Sequence, residues 1–578
     1  MEGEENGDYT KDGTVDLRGY PVRRSKRGGW TACSFVVVYE VLERMTYCGI
    51  SSNLVLYLTR KLHQGTVTAS NNVTYWNGAV WMTPVIGAYI ADAHLTRYWT
   101  FLIASFIYLV GMCLLTASVS VPGLRPPPCT GPNPTSCRTP TTSELAVFFT
   151  ALYTLAIGTG GTKPNISTIG ADQFDDFSPK EKAQKISFFN WWMFSIFSGV
   201  LFGNTVIVYL QDNVGWPLGY GIPTAGLALA IIVFVIGTPF YRHKKPHGSP
   251  FTRMARVIVA ASRKSRVPIP ENTGELYELE DVCNTKGKFK LESTPALRFL
   301  NKACVKTNSK SPWMLCSVTE VEETKQILKM LPILISTFIP SVMIAQTNTL
   351  FIKQGVTLDG RMSSHFKLPP ASLSTFVTLT LLTCLLVYDR VFVKIARKWT
   401  KNPRGITLLQ RLGIGFSLHI IIMAVASVTE RYRLNMAKKY GLVESGGQVP
   451  LTIFILLPQF ILMGVADACS EVAKLEFFYD QAPESMKSLG TSFYSTSMGI
   501  GSILSSFILS GVARVTRSNS HKGWILNNLN ASRLDLYFAF LAVLSFLNFI
   551  AFLVIARWYR YKVEVSDSME ALKEKLEI

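Results

Sequence analysis

The run TACSFVVVYEVLERMTYCGISSNLVLYL, Thr31–Leu58, decides the fold. About twenty apolar residues in a helix cross the hydrocarbon layer of a bilayer, and this run is longer than that. It nevertheless holds Glu40, Glu43 and Arg44. Those positions are i, i+3 and i+4, so the three charges project from one helical face. An ionisable group in hydrocarbon costs several kcal/mol unless it is paired or lines a wet cavity. That face therefore points into a bundle of helices and not at lipid.

Outward from this run, further apolar windows fall at Tyr75–Ala93, Trp99–Ser118, Leu145–Ser167, Ser187–Tyr209 and Tyr220–Tyr241. Beyond a long polar stretch come Thr324–Ile352, Pro370–Val387, Ile406–Thr429, Leu451–Leu475, Leu489–Val515 and Leu536–Trp558. The expectation is an all-α integral membrane protein with twelve transmembrane helices in two six-helix bundles. Its layout reads as an N-terminal segment 1–30, a bundle 31–241, a basic linker 242–323, a second bundle 324–558 and a tail 559–578. With 48% hydrophobic and 17% charged residues and a mean hydropathy of +0.24, the 578-residue chain is too apolar for an ordinary soluble protein. The net charge of +19 does not point to nucleic acid, because the basic residues lie between apolar runs and not on one soluble domain.

Lys and Arg concentrate in the termini and in alternate loops, as at Arg23, Arg24, Lys26 and Arg27, at Arg242, Lys244 and Lys245, and at Arg397, Lys398, Lys401 and Arg404. This bias predicts cytosolic termini, with the basic loop Arg431–Lys439 as an exception on the outer side. Met1–Asp16 is acidic and polar, so no removable signal is read there. Within the linker, Met254–Arg266 is basic and amphipathic, suited to an inner membrane surface or to a solvated linker. Two sequons, at Asn72 and Asn530, fall on the predicted outer side. Of the ten cysteines, Cys129 and Cys137 bracket a Pro/Thr-rich outer loop and are a candidate disulfide. Neither the cysteines nor the histidines show metal-ligand spacing, so the residues suggest no metal or other cofactor.

The halves echo each other. Asp92 and Arg97 mark the turn after the second span, and Asp389 with Arg390 the turn after the eighth. In the fourth span Lys163 follows Gly158-Thr159-Gly160-Gly161, whose small side chains admit close helix packing, and a first-span glutamate is its expected partner. Proton uptake by a carboxylate of that pair would link pH to helix movement; a static salt-bridge network is the plainer alternative. In the tenth span Asp467, Glu471 and Lys474 share a face, with Asp467 placed to meet substrate and Glu471–Lys474 to form a gate or structural pair. His419, a lone intramembrane histidine, reads as a packing residue. Of many aromatics, Tyr47 and Tyr75 lie nearest the charged face.

At these residues the sequence resembles the proton-coupled oligopeptide transporter family, specifically its plant branch of nitrate, peptide and hormone transporters. Glu40-Val41-Leu42-Glu43-Arg44 matches that family's ExxER motif, with Tyr47 and Gly49 following. Gly158–Asn165 and Ala171-Asp172-Gln173-Phe174 match its fourth-span block, and Phe188-Phe189-Asn190-Trp191 its fifth-span signature. Tyr388-Asp389-Arg390 and Gln481-Ala482-Pro483-Glu484 match second-half turns. The resemblance implies the major facilitator fold and alternating access. It also implies proton coupling, H+ being the coupling ion, through Glu40, Glu43, Arg44 and Lys163, with substrate held among Tyr47, Tyr75, Asn190, Gln346 and Asp467.

Three departures bear on substrate. Ser51 stands where peptide carriers resembling this chain often have an arginine, Cys48 replaces a tyrosine, and Ile344 precedes Ala345-Gln346 where a nitrate carrier has histidine. A small anion in a desolvated cavity needs a fixed cation, so nitrate is disfavoured, while Asp467 suits a peptide amino group. The reading is a proton-coupled symporter of di- and tripeptides. The alternatives are a same-fold carrier of nitrate, a hormone or another metabolite, or a nutrient receptor that has lost transport. A channel does not follow from two repeated bundles, and no nucleophile–base set supports an enzyme. The expected partners are a small polar solute and lipid; oligomeric state is left open. The plasma membrane is the expected location, with the vacuolar membrane as the alternative.

Overall fold

The computed structural model describes residues 9–10, 13–127, 138–175, 178–244, 248, 250–270, 276–278, 293–307, 311, 313–363, 366–400, 402, 405–483, 486–518, 521–559 and 561. Helices occupy every apolar window read from the sequence. In the first half they are α1 (Gly29–Ser51) and α2 (Leu54–Arg60), then α3 (Thr66–Ala93), α4 (Arg97–Ser120) and α5 (Thr142–Ala171), then α6 (Pro179–Phe202), α7 (Val208–Asn213) and α8 (Trp216–Ile236). A linker helix, α9 (Pro250–Arg263), follows. The second half comprises α10 (Val318–Ser336), α11 (Phe338–Ala345) and α12 (Leu350–Val356), then α13 (Ser374–Val387), α14 (Val393–Thr400), α15 (Leu408–Lys439), α16 (Leu457–Gln481), α17 (Lys487–Val515) and α18 (Leu534–Trp558).

Among the described residues, nine helices are long and apolar enough to cross a membrane, or ten if α10 and the helix from Phe338, bent by 42°, form one span. The first two columns miss that measure for physical reasons. Every eighteen-residue window of α1 contains Glu40, Glu43 and Arg44, and α3 carries Asn71, Asn72, Asn77 and Asp92. Their polar faces need protein around them.

Helix starts are set by side chains. Thr141 and Glu144, Ser317 and Glu320, and Thr407 and Gln410 form reciprocal capping boxes, each satisfying two otherwise orphaned backbone donors. The first column breaks between α1 and α2, where Gln211 donates to the Gly49 carbonyl and accepts from Asn53, while Ser52 bonds Asn204. The fifth column carries a π-turn over Gly203–Ile207, packed against that break.

Helix association in lipid relies on close packing and polar contacts, because apolar burial gains little there. A Cβ on Gly87 of α3 would come within 2.0 Å of the Gly160 carbonyl oxygen of α5, so glycine at both positions sets how near these helices run. α4 packs on α5, α1 packs on α6 and α8, and a buried aromatic core fills the first half. In the second half α15 packs on α16 and α18, α13 on α16, and α11 on α17. The halves meet along α3 and α17. Thr66 bonds Asn527, Asn71 bonds Ser510, and the Thr74 and Ser506 hydroxyls touch. Tyr75 meets Phe507 edge-on, and Gly78 lies against Ile503 and Gly499. These contacts bring the start of α3 against the end of α17, while residues 13–28, before α1, meet the start of the linker through the Val15–His243 bridge.

Two loop expectations are corrected. The ninth span, α15, runs on to Lys439, so Arg431–Lys439 is not a loop; Arg433 is fully buried and fork-paired with Glu430. The eighth span continues from α13 through a π-turn at Tyr388 into α14 and on to Thr400, so Asp389 and Arg390 mark no turn and sit exposed, 3.9 Å apart. In the linker, Val257, Ala260 and Ala261 of α9 are buried with Leu300, Ala303, Val318 and Val321. Linker residues thus cover much of the apolar side of α9.

Candidate substrate and proton site

Glu40 and Glu43 are buried on the inward face of α1, and Arg44 reaches both. Its Nε lies 2.7 Å from Glu40 Oε1 and 2.9 Å from Glu43 Oε2. Only the Glu40 contact has hydrogen-bond geometry; Glu40 Oε2 and both Glu43 oxygens are buried without a hydrogen-bond partner among the described residues. One guanidinium therefore faces two carboxylates.

Lys163 makes neither of the pairs that the sequence suggests. Its ammonium lies 4.0 Å from the centroid of the Tyr47 ring and 4.3 Å from that of Trp81, and it has no hydrogen-bond partner among the described residues. The expected Lys163–glutamate ion pair is absent in this conformation. The π-faces of two rings hold the cation instead, an arrangement worth about 2 kcal/mol or more when desolvated. Tyr47 is fixed in turn by stacking on Trp76 and by donating to Asn77.

Across the α3–α17 seam, Trp81 meets the Tyr494 ring edge-on at 5.9 Å, and the Lys474 ammonium lies 5.2 Å from the same Tyr494 ring. Lys474 is buried, 2.8 Å from Glu471, and donates to Ser341 and Ser497. Asp467, one turn deeper, makes no ion pair among the described residues, and its Oδ1 is buried without a hydrogen-bond partner. Gln346 is committed to the Val342 carbonyl and Ser505, tying α11 to α17. Tyr75 lies at the seam, packed on Phe507. The side chain of Asn190 lies outside the described residues, as do Cys129 and Cys137.

The Asp92–Arg97 contact is long, at 3.8 Å; the main partner of Arg97 is Asp172 at 2.6 Å, which Lys244 also reaches at 3.2 Å. His419 Nδ1 donates to the Gly415 carbonyl, and Nε2 has no hydrogen-bond partner among the described residues. Neither sequon suits a glycan. Asn530 is buried and its amide donates to Leu442 and Gly447, while Asn72 sits in α3 with its amide on Gln64 and Thr74 turned into the seam. Sequence reasoning passed over Trp81 as one aromatic among many and did not consider Tyr494. The signal for Trp81 was its spacing, i+7 from Thr74 and i+3 from Gly78, on the face that meets α17.

Known proteins are similar to this chain over most of its length. A family model described as the POT family, PTR2, matches residues 98–525. The Arabidopsis thaliana proteins NRT1/PTR FAMILY 5.2 and NRT1/PTR FAMILY 5.3 are each 63% identical. The first match covers 97% of both chains, and the second covers 97% of this chain and 96% of the other. Among solved structures, an auto-inhibited POT family peptide transporter superposes with a TM-score of 0.64 at 18% identity, covering 92% of this chain and 98% of that one.

Proposed function

The chain belongs to the POT family of membrane transporters, with the major facilitator fold, and we propose that it is a proton-coupled symporter whose cargo is a di- or tripeptide. The observation that carries this reading is a pair of unspent charges. Among the described residues, Lys163 in the first half has no anionic partner, and Asp467 in the second has no cationic one. A zwitterion with its carboxylate toward Lys163 and its ammonium toward Asp467 compensates both, which a bare anion cannot do.

Proton coupling rests on charge counting at α1. Arg44 balances one carboxylate of the Glu40–Glu43 pair, and the second needs a proton or Lys163 as its counter-charge. Those two are alternatives: while the aromatic rings hold Lys163, a proton on Glu43 completes the balance, and when the proton leaves, Lys163 is drawn to the carboxylate. The closed α3–α17 seam and the substrate-linked release of Lys163 then become steps of alternating access. The basic bias of the termini and alternate loops supports cytosolic termini; the plasma membrane is the default placement and the vacuolar membrane, with the same topology, the alternative.

The test is uptake of a labelled dipeptide in oocytes by the native chain and by Asp467→Asn at matched surface expression. The account expects uptake that rises at acid external pH and is lost in the variant. Dipeptide uptake untouched by Asp467→Asn would remove Asp467 from the site; no dipeptide uptake at any pH would favour another metabolite as cargo.

A further inference from the structure

Trp81 and Tyr494 contact each other across the seam between the halves, and each also lies beneath a lysine, Lys163 on α5 and Lys474 on α16. The two lysines occupy similar places, eight residues before the end of α5 and seven before the end of α16. The rings thus form a continuous aromatic bridge between the charged cluster of one half and that of the other. We propose that Trp81 and Tyr494 are positioning residues that hold Lys163 away from Glu43 only while the α3–α17 seam is closed, so that the conformation of the seam decides which counter-charge Glu43 receives.

The argument is steric and electrostatic. Trp81 sits on the face of α3 that also carries Thr74 and Gly78, and both of these touch α17. Its indole is braced on the α17 side by Tyr494, itself fixed near the Glu471–Lys474 pair. Separation of α3 from α17 removes that brace. The cage then loses one of its two walls, since Tyr47 alone remains on α1. An ammonium over a single ring is held less strongly than one between two, and the nearest anion is the carboxylate that Arg44 leaves unbalanced.

Among the described residues, the charged, titratable and aromatic groups around Lys163 come from several helices. From α1 come Glu40, Glu43, Arg44 and Cys48 within electrostatic reach, with Tyr47 in contact. From α4 comes Tyr108, near Glu43 and Arg44. From α17 comes Tyr494, within reach of Glu471, Asp467 and Arg44. α3 contributes the Trp81 ring, and α6 contributes Trp192 near Glu40.

The inference rests on the proton-coupling reading, so its test needs a readout that works without substrate. Infrared difference titration of the purified protein in nanodiscs supplies one, through the midpoint of the protonated-carboxyl band that Glu43→Gln removes. Trp81→Leu and Tyr494→Leu each free Lys163 to stabilise ionised Glu43, so that midpoint should move to lower pH by about one unit. The double variant should move it no further than either single, whereas Trp81→Phe and Tyr494→Phe, which keep a ring, should stay near the native value. Midpoints unchanged in the leucine variants, or shifts that simply add, would overturn the bridge while leaving proton coupling in place. A native protein with no Glu43-dependent band would overturn the coupling reading and the bridge together.

Discussion

Arg433→Met is the substitution with the most calculable cost. Arg433 and Glu430 are both fully buried. The guanidinium gives Nε and Nη2 to the two Glu430 oxygens at 2.8 and 2.6 Å, Nη1 to Asn530 at 2.6 Å and Nη2 to the Leu529 carbonyl at 2.9 Å. Methionine keeps much of the stem and none of these donors. Among the described residues Glu430 would retain only the Gln354 amide at 2.8 Å, leaving a buried carboxylate without its counter-charge. Removing one partner of a buried pair costs about 3–5 kcal/mol. If each half unfolds as a unit, that lowers the unfolding midpoint of purified protein by roughly 5 °C or more. Restoring neutrality with Glu430→Gln in the Arg433→Met background should recover most of the loss, because the penalty lies in the stranded charge. A single variant as stable as the native chain would refute the network as a brace of α15. A double variant no better than the single would refute the charge argument.

Three other outcomes follow from the same geometry. Gly87→Leu should impair assembly of the first half, seen as aggregation on size-exclusion chromatography, since a Cβ there meets the Gly160 carbonyl at 2.0 Å and backbone cannot yield as a side chain can. His243, outside the spans, is held neutral by burial and by Arg27 nearby, and its pKa is lowered to about 4. Its unfolded value is near 6.5, so the stability tied to neutral His243 is complete above pH 6.5 and is lost as pH falls toward 4. His243→Gln should flatten that part of the stability profile, measured as melting temperature against pH. Glycosidase treatment should give no mobility shift traceable to Asn530, whose amide is fully engaged.

The span pattern was legible because apolar length needs no partner to be read, and the charge cost inside Thr31–Leu58 was enough to single out Glu40, Glu43 and Arg44. Spacing on one helix placed Glu40, Glu43 and Arg44 on one face, while the reach of Arg44 to both glutamates is visible only in the structure. Lys163 was harder. Its helix carries no competing group, so an opposite charge looked like the natural partner, and only the packing of α1, α3 and α17 reveals that rings reach it first. Arg433 was misread for a related reason. A cluster of basic residues past an apolar window looks like a loop in sequence, and its burial depends on Glu430, Gln354, Asn530 and Leu529 converging from three separate segments. The second-half turn at Asp389–Arg390 failed because a π-turn keeps the helix going where a repeat of the first half would end it.

The central claim is that Glu43 takes either a proton or Lys163 as its counter-charge, and that this choice drives transport. The most direct measurement is dipeptide-evoked current in oocytes at acid and neutral external pH, comparing the native chain with Glu43→Gln at equal surface expression. The account predicts an inward current that grows at acid pH in the native chain and is abolished in the variant. A Glu43→Gln protein that still carries a pH-dependent current of native size would contradict it.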